Sequence, residues 1–188
     1  MRKISHFPIT ALLLLLALVS TGQEIQKVGM EPLPALPATA NDSVSFGYAG
    51  MMGGAHNGAI LAAGGANFPN GLPWQDGEKV YSNAIYVLDD GQWSVSNQIL
   101  PAPLAYGGSA SIPEGILVVG GENGTATSKE VLLLEYDPVL KNVQITKFPP
   151  LPEPLAYTKA VVEEGYVYVA GGKNSDKSVN SFYRMRFD

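Results

Sequence analysis

Glu122 follows directly on a glycine pair, Gly120-Gly121, and Lys173 follows on another, Gly171-Gly172. A loop carboxylate in such a place can take or give a proton, and a loop ammonium can meet a carboxylate. Asn67 and Phe68 come just after a third pair, Gly64-Gly65. The amide suits a hydroxyl, and the ring suits the apolar face of a ligand. Trp74, a little further along, offers a larger face for stacking. Each residue also has a plainer use. Glu122 and Lys173 can be solvated charges, Asn67 and Phe68 loop packing, and Trp74 the anchor of its own loop.

Other chemistries find no residues. Cysteine is absent, which excludes disulfides, thiolate metal sites and cysteine nucleophiles. His56 is the one histidine beyond the N-terminal leader described below, so neither a Ser-His-Asp set nor a histidine metal site can be assembled. It reads as structural. Gly50 to Gly58 is glycine-rich but lacks the Lys-Ser/Thr of a phosphate loop. A net charge of −5 leaves no basic footprint for nucleic acid. Arg184 and Arg186 stand two apart on one strand face and read as edge or interblade charges. No metal or cofactor is expected.

The elements that must position these residues come from a repeat. The doublets at 64, 120 and 171 each end a short apolar run: Ala59–Ala63, Gly115–Val119 and Tyr166–Ala170. Pro103-Leu104-Ala105-Tyr106 returns 51 residues later as Pro154-Leu155-Ala156-Tyr157. Leu-Pro pairs recur at 33, 100 and 151. A period near 50 with a Gly-Gly doublet suggests a kelch-type propeller blade of four short strands. In one repeat the strands read as Tyr106–Ile112, Gly115–Gly120, Glu130–Tyr136 and Asn142–Phe148. The fold class is all-β, a partial kelch-type β-propeller of about three blades from a six-bladed ring. The blades span 45–98, 103–148 and, incompletely, 154–188. The loops 66–79, 122–128 and 173–179 then share one rim.

The ends carry further expectations. Arg2 and Lys3, the apolar run Ile9–Val19 and the small residues Ser20-Thr21-Gly22 read as a signal peptide over 1–22. The run is too short to span a bilayer, and no second one follows. The mature part is 23–188, with 24–37 a closing outer strand and linker. Glu24–Met30 precedes Leu33-Pro34 as a fourth strand precedes the other Leu-Pro pairs, while the third blade lacks its fourth strand. Three blades cannot close a ring, so the expectation is a truncated arc that exposes apolar blade faces.

Three stretches make the pattern specific: Phe46-Gly47-Tyr48-Ala49-Gly50; Ala62-Ala63-Gly64-Gly65-Ala66-Asn67-Phe68-Pro69; and the insert ending Lys79-Val80-Tyr81-Ser82. Together with Trp93, Leu100-Pro101 and Leu117–Glu122, they resemble the N-acetylneuraminate epimerases, or sialic acid mutarotases. The order of the parts resembles the cyclically permuted mutarotase subgroup. The resemblance implies a six-bladed propeller exported to the periplasm. Its activity would convert α- to β-N-acetylneuraminate by general acid/base catalysis, an isomerase activity without cofactor. Sialic acid or a related sugar would be the partner. Glu122 would then be a supporting catalytic group, with Asn67, Phe68, Trp74 and Lys173 binding substrate. The family's Arg-Ala-Tyr-Gly motif stands here as Leu104-Ala105-Tyr106-Gly107. Its principal catalytic glutamate, in an Asn-Gly-Glu motif, is expected in blades outside this chain, which leaves the chain itself inactive. The alternative is a non-catalytic kelch module that binds a glycan or a protein.

Overall fold

A computed structural model describes residues 28–39 and 43–186. The chain divides into a short N-terminal unit, 1–32, and a main unit, 33–188. The signal peptide and Glu24–Lys27 of the expected closing strand lie outside the described residues. Val28–Met30 carry no strand.

The main unit is all-β, with thirteen strands and one single-turn 3₁₀ helix among the described residues. The first blade is an antiparallel sheet of β1 (Met52–His56), β2 (Ala59–Ala63), β5 (Ala84–Asp89) and β6 (Gln92–Ile99), in that order. The second orders β7 (Gly108–Ile112), β8 (Gly115–Val119), β9 (Val131–Asp137) and β10 (Asn142–Phe148) in the same way. The third holds β11 (Lys159–Glu163), β12 (Tyr166–Ala170) and β13 (Phe182–Arg186). These are three blades of a kelch-type β-propeller. The insert after the first doublet forms a small ladder of β3 (Ala66–Asn67) with β4 (Val80–Tyr81), joined through a 3₁₀ turn at Pro73–Gln75.

Why a strand such as Gly115-Ile116-Leu117-Val118-Val119 shows no polar alternation follows from its place. Side chains alternate between sheet faces, and both faces of the second blade are covered. Ile116 and Val118 join Leu61, Ile85 and Val87 in the core between the first two blades. Leu117 and Val119 join Val167 and Val169 in the core between the second and third. In β12, Val167 and Val169 are buried, whereas Ala170 on the other face is exposed and Tyr166 and Tyr168 are half-covered. On the far side of the first blade, Ile60 is likewise exposed.

Along the inner edge, β1, β7 and β11 stand side by side. Ser109 Oγ accepts from the Gly53 N–H at 3.0 Å and donates to the Gly53 carbonyl at 2.8 Å. The Ala55 N–H donates to Ser111 Oγ at 2.9 Å. At the opposite rim from the doublets, His56 Nδ1 accepts from the Tyr136 N–H at 3.0 Å, so His56 is structural.

The doublets fasten blade to blade. The Gly65 N–H donates to the Leu104 carbonyl at 2.8 Å, and the Gly121 N–H to the Leu155 carbonyl at 2.7 Å. Their partners Gly64 and Gly120 take left-handed φ of +67° and +64°. A Cβ on either would fall on that same leucine carbonyl oxygen. Gly171 repeats the conformation at +60°, but a Cβ there would meet nothing nearer than the Val179 oxygen at 4.0 Å.

Candidate functional site

Each blade sends one residue to the doublet rim immediately after its glycine pair, and the three positions are equivalent. Ala66, Glu122 and Lys173 form single bridges to Ala49, Ala105 and Ala156 respectively. The next residue along each inner chain, Gly50, Tyr106 or Tyr157, has a left-handed backbone, with φ of +67°, +62° and +56°. The Tyr106 N–H donates to the Gly50 carbonyl at 2.8 Å, and the Tyr157 N–H to the Tyr106 carbonyl at 2.6 Å. One backbone shape is thus repeated at strand spacing. The two tyrosine rings consequently stack, with centroids 4.7 Å apart and planes 17° from parallel. Glycine is required at 50, because a Cβ there would enter the Tyr106 ring. A left-handed conformation costs a non-glycine residue about 1–2 kcal/mol, and such outliers gather at functional sites.

Glu122 is the hub. Its side chain is 12% exposed, and Oε2 lies 2.9 Å from Lys173 Nζ on the neighbouring blade. Oε1 accepts from the Tyr157 hydroxyl at 2.9 Å and from the Tyr81 hydroxyl at 3.3 Å. Burial would push this carboxyl up, but the Lys173 ammonium and the Tyr157 and Tyr81 hydroxyls outweigh it and hold it below its ordinary value. Glu122 is therefore an anion at neutral pH, able to accept a proton but not to supply one. Tyr157 is pushed up to about 12, by burial first and then by its bond to Glu122, so its hydroxyl stays a donor. Lys79 closes the group: its Nζ lies 4.4 Å from the Tyr106 centroid and 5.2 Å from that of Tyr81.

The site residues named from sequence divide. Glu122 and Lys173 come together as an ion pair, and both line a small rim cleft of about 120 Å³ with the 124–127 loop. Asn67 stands opposite Val80 in the β3–β4 ladder, next to Tyr81, and its amide donates to the Gly47 carbonyl at 3.1 Å. It also lines a cleft of about 490 Å³ with Phe46, Tyr48, Val80 and Tyr81. Phe68 is half-buried beside it. Trp74 is 78% exposed on the 3₁₀ turn, away from the ion pair's contacts. Arg184 and Arg186 lie at the other end of the third blade, over the Tyr166 ring. Sequence reasoning missed Tyr81, Tyr106, Tyr157 and Lys79. The signal for two of them was present, since an aromatic at the end of both Pro-Leu-Ala-Tyr copies is not something a blade strand demands.

Among the described residues, no group of His, Asp and Glu is arranged to hold a metal ion, and no helix is long and apolar enough to cross a membrane.

A family model described as N-acetylneuraminate epimerase matches residues 18–145. An N-acetylneuraminate epimerase of Vibrio cholerae serotype O1 is 40% identical over 121 residues, covering 56% of this chain and 29% of that protein. One of Yersinia pestis is 37% identical over 109 residues (52% of this chain, 28% of that protein). One of Haemophilus influenzae strain 86-028NP is 36% identical over 115 residues (56% and 30%). The match thus spans less than a third of the length of these relatives. The first blade, most of the second, and Glu122, Tyr81, Tyr106 and Lys79 lie within the matched residues, with Tyr157 and Lys173 beyond them, and the chain belongs to the N-acetylneuraminate epimerase family.

Proposed function

We propose that the chain is part of an exported mutarotase that interconverts the α and β anomers of N-acetylneuraminate, and that the doublet rim is its sugar-binding face. The observation that carries this reading is the Glu122 hub. An ionised carboxylate, two phenol donors and the Lys173 ammonium converge there, with the Lys79 ammonium against the adjoining tyrosine rings, in a chain whose relatives are named N-acetylneuraminate epimerases.

Anomer exchange of a sialic acid needs no net change of atoms. A base takes the proton of the anomeric hydroxyl while an acid protonates the ring oxygen. The C–O bond to the ring opens to a ketone, the C1–C2 unit turns, and the ring recloses on the other face. Glu122 fits the accepting or orienting side of this chemistry, because Lys173 and the tyrosines keep it ionised. In this proposal it supports a principal acid/base pair supplied by parts of the family's ring beyond the residues matched here. Asn67, Phe68 and Trp74 on the insert are proposed to hold the sugar's hydroxyls and apolar face. The family match ends at residue 145, one blade short of the described C-terminal end, which supports a permuted order of blades. The leader at 1–22 supports export, and the periplasm is the proposed site of action.

The test is anomer exchange on freshly released α-N-acetylneuraminate, followed by NMR. It is run with the protein as its source cell makes it and with the 188-residue chain in parallel. The native protein is expected to exceed the buffer rate, and the chain alone to show little of that gain. Exchange at the buffer rate with the native protein overturns the reading in favour of a binding module. A chain that matches the native rate overturns the placement of the principal acid and base.

A further inference from the structure

A sugar acid brings a permanent negative charge, and the rim holds two half-buried ammonium groups that could meet it. They are not equivalent. Lys173 is already neutralised by Glu122 at 2.9 Å, and that carboxylate is largely covered. Drawing Lys173 toward a second carboxylate would leave Glu122 buried with one partner fewer, which is unfavourable. Lys79 has no carboxylate in reach among the described residues. Its Nζ is held instead between the faces of Tyr106 and Tyr81. Burial would pull its ammonium down, but the two phenol groups outweigh this and keep it protonated. Lys129, Lys159 and Lys177 are exposed, and Lys141 and Lys147 are paired with Asp89 and Glu130. Among the described lysines, Lys79 alone is both half-buried and without an acidic partner.

A surface lysine usually keeps its head in water. Fixing one against two rings without a counter-ion gives up hydration and side-chain freedom, and cation–π contact returns only part of that. The arrangement suits a site whose counter-ion arrives with the ligand. Tyr106, the ring nearest Lys79, is itself stacked on Tyr157, which fixes the ammonium's position on the rim.

We propose that Lys79 receives the carboxylate of the substrate, and that the Glu122–Lys173 pair does not. The acceptor is then the insert before β4, not the third blade. This rests on the rim being the sugar site, and the experiment separates the two ideas. N-acetylneuraminate and its methyl ester, which lacks the charge, are titrated into the native protein and into Lys79→Gln, Lys79→Arg and Lys173→Gln variants. Binding is read by NMR line broadening of the ligand, and folding by circular dichroism. Loss of a charge-assisted contact is worth roughly tenfold to a hundredfold in affinity. The expected result is that Lys79→Gln weakens binding of the acid by about that factor. It leaves the ester unchanged, and Lys79→Arg restores most of the loss. If Lys79→Gln binds the acid as the native protein does, the proposal fails while the sugar site stands. If it weakens acid and ester alike, Lys79 merely shapes the site and the proposal also fails. If Lys173→Gln shows the charge-selective loss instead, the assignment passes to Lys173. If the native protein binds neither compound, the sugar-site reading falls and takes the proposal with it.

Discussion

Gly120 and Gly171 have nearly the same backbone but different surroundings, so alanine at each separates conformational strain from blade contact. Both sit at left-handed φ, near +64° and +60°, and alanine there costs about 1–2 kcal/mol at either position. At Gly120 the new Cβ would also fall on the Leu155 carbonyl oxygen. That oxygen accepts the Gly121 N–H at 2.7 Å, and both residues are buried. To reach ordinary contact the oxygen must retreat by about 1 Å, which breaks the bond between the second and third blades. An unmade buried hydrogen bond adds about 1–3 kcal/mol. Gly120→Ala is therefore expected to lose about 2–5 kcal/mol, and Gly171→Ala only the strain of about 1–2. Urea unfolding followed by circular dichroism measures both. Amide exchange should in addition show β11 and β12 losing protection in Gly120→Ala alone. Equal losses for the two variants, within about 0.5 kcal/mol, would refute the claim that the doublet's first glycine is there to admit the neighbouring blade.

Three further outcomes follow from the same contacts. The Glu122 carboxyl is held below its ordinary value, so its share of stability is present above the ordinary glutamate range and is lost as pH falls through the lowered folded value; Glu122→Gln should flatten that acid limb of the pH–stability curve. Tyr136 and Tyr157 are both raised to about 12, so what they contribute is complete below pH 10 and is lost as pH rises from 10 through about 12. Tyr136→Phe removes the bond to Asp89 and should reduce the alkaline loss, as read by thermal melts across that range. Leu117→Ala, at a fully buried position between two blades, should cost about 2–5 kcal/mol, whereas Ile60→Ala, 45% exposed, should stay within about 0.5 in the same urea assay.

Much of the fold was legible in the sequence. The Gly-Gly register and the apolar runs before it located β2, β8 and β12, because a strand covered on both faces needs apolar residues at every position. Pro113-Glu114 and Asp137-Pro138 marked the turns after β7 and β9. The site was legible only in part. Glu122 and Lys173 drew attention because each follows a doublet, but their pairing depends on adjacent blades bringing equivalent positions together, which spacing within one blade does not show. The stack of Tyr106 on Tyr157 arises from a left-handed backbone repeated between blades, and nothing in strand patterning encodes φ at a tyrosine. Lys79 was hidden for a different reason. It sits at the end of an irregular insert, where no period relates it to Tyr106 on the next blade.

The proposed function stands or falls on whether sugar binds at the doublet rim. Amide chemical-shift mapping on the ¹⁵N-labelled native protein, titrated with N-acetylneuraminate, decides it. The largest shifts are expected in the 66–82 insert, at Tyr106 and Tyr157, and in the loops that follow Glu122 and Lys173. Shifts confined to the opposite rim, around His56, Pro113 and Asp137, or no shifts at saturating sugar, would contradict it.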